Sequence, residues 1–596
     1  MKMIQEMRWW NALSVVVALS GLGFALWLAA KRNADVLPLA ERYFRVTGEV
    51  LIVAGLLFGL TFFLLQAFSY ASGKLQEADL LRVENGKLKD ALRWKDHAGA
   101  ARCVARAKAL WGTTTHADPL ACTYEDDPVF LQIAVDTSFK KILSQPIVQR
   151  LNHIRQLSFA YLTFGSATHT RLAHSLGACR NAELVMRRVF QEDRMYTQNG
   201  VESIDLSNSQ KKGLVRLAKF AALLHDLGHG PLSHALETHL GVGLGASKPA
   251  KPDKELSIKY IQEYLSQILR GEGIDLDELI GLMQEDRLNL SPWLHFIADL
   301  IDSPLDVDRM DYLVRDAHMS GLSIGGLNIQ ALIERAVPFE ETDDQGKRVE
   351  LAFDSSALPY VEQFLYARDV MYLNCYEHPK KVCAESMLGR AFEDLMQAST
   401  GSPGVTAEGL AFMTDQEFMQ LVLECCGPST TSFRMVEMLM RGVTFEPVNE
   451  VPIKISKDPN KPNPAAFESL PPQIKIWAGA AMDEEYELAY LTTPDRWASD
   501  LALKSGVDKS QILVTVPSLS IVDKWAKEGE IRLLKKEPEG KYSVAYVKDI
   551  PSTIWKDFVV ALARARLKIR IFVDPDLSTE QRERVCALSE SFFNEQ

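Results

Sequence analysis

The stretch from Ala221 to Glu237, AALLHDLGHGPLSHALE, limits what this chain can fold into more than any other. It sets His225, Asp226, His229, His234 and Glu237 among apolar neighbours. Each of these groups is costly to bury without a partner, so the fold must gather them where they satisfy one another or a ligand. A lone His-Asp pair would read as a hydrogen-bonded core pair. Five ionisable groups in one apolar run do not. Gly228, Gly230 and Pro231 interrupt the run, and such residues end helices and let backbone approach a ligand closely. Adjacent His225 and Asp226 can reach one ion only from a helix end or turn that opens into a cavity. His234 and Glu237, three apart, are expected on a helix that restarts after the break and shares a face with His225 and His229. Imidazole and carboxylate together suit Zn, Mn or Fe without choosing among them.

Composition narrows the setting of this site. Over 596 residues, 47% are hydrophobic and 24% charged, the balance of ordinary globular proteins. The formal net charge of -12 argues against coating nucleic acid, which needs a basic face to release counterions, while a local basic pocket remains compatible with it. The 8 cysteines form no CxxC pair and read as reduced thiols of a cytosolic body. Of 12 histidines, 7 fall between His153 and His239, which points to one site rather than scattered core use.

Two uncharged runs precede the body. Asn11 to Ala30 and Val50 to Tyr70 are each long enough to cross a hydrocarbon core of about 30 Å, and together they predict a transmembrane hairpin. The first is too long for the apolar part of a signal peptide, and a second run follows it. Trp9, Trp10 and Trp27 stand near the ends of the first run, where amphipathic rings favour the interface. Lys2, Arg8, Lys74, Arg82, Lys87, Lys89, Arg93 and Lys95 flank the hairpin, against Lys31, Arg32, Arg42 and Arg45 in its loop. That bias puts both termini and the body on the cytoplasmic side of an inner, cytoplasmic membrane. Leu75 to Lys95 reads as an amphipathic stalk, or as a short coiled coil with Asn85 at a core position.

The expected organisation is a hairpin over 1–73, a stalk and linker over 74–123, a helical body over 124–447, and a Pro-rich linker with a small α+β lobe over 448–596. Helical patterns run from Phe139 to Phe159, Leu172 to Phe190, Leu214 to Gly228, Ser257 to Arg270 and Pro292 to Ser320. Ala336 to Phe353 reads as a β-hairpin around TDDQG, and Gly241 to Asp253 as a loop placed where a lid would lie. In the last lobe, strand-like runs at Gln511 to Val516, Ile531 to Lys535, Tyr542 to Val547 and Leu567 to Phe572 accompany a helix from Ser552 to Ala565. The fold class is thus mainly α, with a short hairpin and a C-terminal α+β lobe.

Three further groups share helical faces by spacing. Arg171 and His174 are three apart, Asp308, Tyr312 and Asp316 four apart, and Arg368, Tyr372 and Tyr376 four apart. Taken singly, each reads best as a solvated charged face. In this order, RLAHSLG, HDLGHGPLSH, DVDRMDYLVRD and ARDVMYLNCYEH resemble the HD-domain metal phosphohydrolases, in particular the deoxynucleoside triphosphate triphosphohydrolase branch. The resemblance covers roughly Glu125 to Val448 and implies an all-helical HD core, oligomerisation into homo-oligomers and a divalent cation, Mn, Fe, Zn or Mg. It assigns His174, His225, Asp226 and Asp308 as metal ligands, and His229, His234 and Glu237 as the catalytic cluster. It further implies that Arg171, Arg309, Tyr312 and Arg368 hold a triphosphate, that Asp316 and Tyr376 touch the sugar, and that Gln156 reads its 3′ hydroxyl.

The sequence departs from that pattern in places. Lys254-Glu255 stands where His-Glu is usual, and Glu237 where some members have Asp. Ser144 and Asn152 occupy positions where an Asp and an Arg would serve a regulatory nucleotide, although Gln149 is kept. The expected function is hydrolysis of a dNTP to deoxynucleoside and triphosphate at a membrane. An HD nuclease or phosphodiesterase on single-stranded nucleic acid is the rival enzyme, which would need an open groove with stacking aromatics. A nucleotide-sensing membrane module without turnover is the non-enzymatic alternative.

Overall fold

Prolines and capping side chains, more than apolar periodicity, decide where the helices of this chain stop. The computed structural model describes residues 97–113, 126–133, 135–236, 252–284, 287, 290–343, 346–399, 406–452, 494–515, 529–550 and 568–594, which fall in the compact unit that begins at Ala91. The membrane spans expected at 11–30 and 50–70, the stalk, Glu237, most of the loop before Asp253 and the helix from Ser552 lie outside the described residues. Among the described residues, no helix is long and apolar enough to cross a membrane.

The helices used below are α1 (His97–Trp111), α2 (Arg171–Glu192), α3 (Asn208–Leu224), α4 (Pro252–Tyr260), α5 (Pro292–Ile301), α6 (Val307–Ser320), α7 (Leu358–Met371), α8 (Asp415–Cys425), α9 (Pro494–Ser505) and α10 (Thr579–Asn594). Packing of α2 between α3 and α6 builds the scaffold of the site. Thr170 caps α2 by accepting from the Ala173 amide, and Ser207 and Gln210 form a reciprocal capping box at the start of α3.

Several expected helices are divided. Phe139 to Phe159 is not one helix but Thr137–Leu143, Pro146–Gln149 and two 3-10 turns, Arg150–His153 and Ser158–Leu162. Pro146 holds Gln145 extended, and Ser158 takes a positive φ of 50°. Pro292 to Ser320 divides into α5 and α6 around Pro304, and Asp306 caps the new helix by accepting from the Arg309 amide at 2.8 Å. This break puts Asp308 in the first turn of α6. Helix α3 ends at Leu224 rather than Gly228, and no α-helix restarts at His234, which lies in a 3-10 turn, Ser233–Ala235. Leu232 and Ser233 both sit at φ 56°, a left-handed corner that a continuing helix cannot contain. After α7 the chain widens into a π turn over Tyr372–Tyr376, so Tyr372 and Tyr376 do not lie on a regular α face.

The strands used below are β1 (Met195–Thr197), β2 (Gly200–Glu202), β3 (Ala336–Asp343), β4 (Gly346–Asp354), β5 (Glu446–Pro452), β6 (Ile512–Thr515), β7 (Arg532–Lys536), β8 (Tyr542–Tyr546) and β9 (Lys568–Val573). The expected hairpin forms as β3 and β4, with Ala336 opposite Phe353 and Asp343 opposite Gly346. It belongs to a six-stranded sheet ordered β8-β7-β4-β3-β1-β2. The C-terminal strands therefore do not make one separate lobe. β7 pairs in parallel with β4, and the Arg532 guanidinium on β7 reaches Asp299 of α5 at 2.8 Å. Among the described residues, β5-β9-β6, covered by α9 and α10, has an apolar core apart from the helical body, and a smaller cluster of Phe339, Ala352 and Leu534 lies on the six-stranded sheet.

Candidate metal and catalytic site

His174 stands one turn into α2, His225 caps the end of α3, and Asp308 opens α6. These three converge, with one ligand atom from each lying within 4.8 Å of the others. Asp226, the fourth expected ligand, is beside them: its Oδ1 is 3.2 Å from His225 Nε2, and its Oδ2 is 3.6 Å from His174 Nε2. That Oδ2 is also bound by the Arg171 guanidinium in a short ion pair.

The outward nitrogens of both rings are occupied. His174 Nδ1 meets Asp311 Oδ2 at 2.9 Å, and His225 Nδ1 donates to the Ala222 carbonyl at 2.8 Å. Their Nε2 atoms are buried and face Asp308 Oδ1, 3.0 Å from His174 and 3.7 Å from His225. A ring whose Nδ1 carries the proton points its Nε2 lone pair inward, so two imidazoles and a carboxylate present electron pairs to one point. This donor set fits a divalent cation. Without an ion, the carboxylates draw protons onto the rings. Burial alone would lower the His174 imidazole, yet Asp308 and Asp311 push it up to about 10. Burial opposes ionisation of Asp226 too, but Arg171, His225 and His229 hold its carboxyl well below the usual range.

Asp311 is in turn gripped by Arg315, through Nε at 2.8 Å and Nη2 at 2.9 Å, and Arg315 also reaches Asp127 at 2.9 Å. Gly177 leaves the room for this pair, since a Cβ there would lie 1.8 Å from Asp311 Oδ1. The HD turn has a similar requirement at Gly228, where a Cβ would lie 2.0 Å from the Asp253 carbonyl of α4.

His229 and His234 form a second cluster against Asp226. His229 Nε2 is 3.2 Å from Asp226 Oδ1 and 3.9 Å from Asp253 Oδ2. The His229 and His234 rings meet edge to face at 5.0 Å, and His234 Nε2 lies 3.2 Å from Arg171 Nη2. His229 is buried, whereas His234 is exposed. Arg171 therefore touches both groups, and its Nε donates to Ser233 Oγ at 2.7 Å.

The remaining expected residues line a tyrosine-rich wall. The Arg368 guanidinium lies over the Tyr372 ring at 5.2 Å, and Tyr376 packs against Tyr372 and Tyr312 with centroid distances of 4.9 and 6.1 Å. The Tyr376 hydroxyl donates to Asp316 Oδ2 at 2.7 Å, while His169 Nε2 sits 2.8 Å from Asp316 Oδ1. The Gln156 backbone N–H donates to the His169 carbonyl at 3.0 Å, while its side-chain Oε1 is buried without a hydrogen bond. Arg309 is turned to the acidic α5-α6 connection, where Ser303 O and Asp306 accept from it. Lys254 likewise pairs with Asp302 at 2.5 Å. Sequence reasoning missed Asp311, Asp253, Ser233 and Asp415. Of these, only Asp311 had a local signal, its four-residue step to Arg315.

No family model matches the chain. An uncharacterized protein of Mycoplasma genitalium is 32% identical over 275 residues, covering 46% of this chain and 60% of that protein. The deoxynucleoside triphosphate triphosphohydrolase SAMHD1 of Gallus gallus is 23% identical over 317 residues, 49% of each chain. The chain thus spans about half to three-fifths of the length of these relatives. A solved phosphohydrolase structure from Bacteroides thetaiotaomicron superposes with a TM-score of 0.50 at 18% identity, over 75% of this chain and 98% of that one. At this distant identity, the chain is similar to HD-domain phosphohydrolases.

Proposed function

We propose that this chain is a metal-dependent phosphohydrolase that cleaves deoxynucleoside triphosphates to deoxynucleoside and triphosphate. The observation that carries the reading is the convergence of His174, His225 and Asp308 beside Asp226, which Arg171 links to the neighbouring histidine pair through His234. His174, His225, Asp226 and Asp308 would hold the cation. When bound, such an ion supplies a water of lowered pKa and neutralises phosphate charge.

The chain's own residues divide the remaining work. Arg171, already aligned between Asp226 and His234, offers a guanidinium fork to phosphate oxygens, with Arg368 as a second cation behind the tyrosine wall. His234 is exposed on its turn and can deliver a proton to the leaving 5′ oxygen. His229, between Asp226 and Asp253, keeps that proton source oriented. Tyr312 and Tyr376 supply aromatic faces for the sugar, beside Asp316. Attachment to a cytoplasmic membrane through 11–30 and 50–70, a cytoplasmic body and a homo-oligomeric state belong to the same proposal, and the two apolar runs are what motivates the attachment.

The test incubates the purified chain with Mn²⁺ and each deoxynucleoside triphosphate separately, with Asp226→Ala as control. Deoxynucleoside and intact triphosphate, absent in the control, are the expected products. Unchanged nucleotides with shortened single-stranded DNA would replace the proposal with a nuclease.

A further inference from the structure

The turn that carries His225, Asp226 and His229 has little regular hydrogen bonding of its own. Between the end of α3 and the 3-10 turn at Ser233, it makes short-range bonds such as Leu227 N to Leu224 O at 3.2 Å and His229 N to Asp226 O at 3.2 Å. Other segments must hold it. Ser257 Oγ accepts from the Gly228 amide at 2.8 Å and donates to the His225 carbonyl at 2.9 Å. Asp415 accepts from the Leu232 amide at 2.6 Å and from the Arg155 amide at 3.0 Å.

Arg150 does more than either. Its guanidinium is fully buried, yet its partners are backbone carbonyls rather than a carboxylate. Nη2 donates to Leu227 O and His229 O, each at 2.8 Å, so it spans the residues on either side of Gly228. Nη1 donates at 3.1 Å to Ala411 O, in the segment that leads into α8. The cation lies against both the Tyr260 and Phe412 rings, 5.6 and 5.7 Å from their centroids, and the two rings meet each other edge to face at 5.0 Å. These contacts offset the cost of burying the cation, although its Nε makes no hydrogen bond.

We infer that Arg150 is a positioning residue for the metal and acid cluster, a clamp that sets the turn's backbone so that His225, Asp226 and His229 face the site together. A fork of fixed geometry is needed for this role. The ammonium of lysine is a point charge on a flexible stem and cannot hold two carbonyl groups of one segment and a third of another in a set arrangement. The clamp rests on the reading of the site as a metal centre.

The test compares the full-length wild type with Arg150→Lys. Mn²⁺ affinity is measured by titration with the metal alone, the thermal midpoint of the metal-free proteins is measured beside it, and kcat and KM follow for deoxynucleoside triphosphate hydrolysis. The expected result is a folded variant that binds Mn²⁺ about 10-fold more weakly, in the range seen when groups that orient metal ligands are lost. Its kcat is expected to fall about 100-fold with KM little changed, because small misplacements of reacting groups cost that much. A folded Arg150→Lys that binds Mn²⁺ as tightly as the wild type, with unchanged kcat, would overturn the clamp. A wild type that binds no divalent cation would overturn the metal reading and the clamp with it. If Arg150→Lys does not fold, Asp415→Asn loosens the other end of the same turn. Weaker Mn²⁺ binding in that variant supports the clamp, and unchanged binding refutes it.

Discussion

The turn from His225 to Leu236 and the sheet β5-β9-β6 are held by opposite means. The sheet is ordinary: Ile569, Ile571 and Val573 of its central strand pack with Ile512, Val514, Trp497 and Leu501 in a core of their own. Its stability comes from apolar area, which is non-directional and tolerates small displacements. The turn also buries Leu227, Leu232 and Leu236 in the main core, but its backbone is set by Arg150, Ser257, Asp415 and Arg171 through hydrogen bonds with defined partners. Such bonds add little net stability each, but they are directional, and leaving one unmade in a buried place is costly. Apolar burial keeps this chain folded, while polar buttressing sets the backbone that carries the clustered histidines and carboxylates. Changes in the two regions should therefore separate stability from function.

The largest effect should follow Asp308→Ala, which removes a converging ligand: Mn²⁺ binding falls below detection by titration while the metal-free protein stays folded. His234→Ala comes next. Because His234 is exposed and not among the converging ligands, turnover should drop by about 100-fold or more with Mn²⁺ affinity unchanged, as steady-state kinetics and titration would reveal. Equal loss of both would mean that His234 helps to hold the ion.

Ile571→Ala probes the other region. This residue is fully buried on β9, so the substitution should cost about 2–5 kcal/mol in chemical denaturation and leave metal affinity alone. Asp311→Asn should do the reverse, weakening Mn²⁺ binding by about 10–100-fold, because the His174 ring loses the carboxylate that orients it. If that variant were destabilised without any change in metal affinity, the Asp311 and Arg315 pair would belong with the structural region instead.

A further effect is a change with pH. Asp308 and Asp311 raise the His174 imidazole to about 10 against the opposing effect of burial, so the metal-free protein gains stability from its protonation. That contribution is complete below the unfolded value of about 6.5 and is lost as pH rises through about 10. Metal binding must displace the same proton, so affinity should rise with pH over this window. Calorimetric titration in buffers of different ionisation enthalpy would show the released protons, and a pH-independent affinity would contradict the assignment.

Much of the site's chemistry was legible in the chain because it is written locally. His225, Asp226 and His229 fall within five positions, and Gly228, Gly230 and Pro231 announce the break that holds them. The hairpin of β3 and β4 was legible for the same reason, since alternation and a turn signal lie side by side. Asp253 was hidden as a neighbour of His229 because it follows a long loop. Lys254 was noted as a departure, but only the folded chain shows it committed to Asp302. The straight helices expected at Phe139 and Pro292 failed where one proline outweighed continuing apolar spacing.

Periodicity, caps and breakers act over a few residues, so the chain's local pattern already names the residue types the site must satisfy and the helix bodies that present them. Which groups hold those residues in line depends on packing between distant segments. Asp311 meets His174 across 137 residues, Asp415 meets Leu232 across 183, and Arg150 reaches Ala411 across 261. No local pattern records such pairings, since they exist only once packing has brought the segments within the short reach of a hydrogen bond.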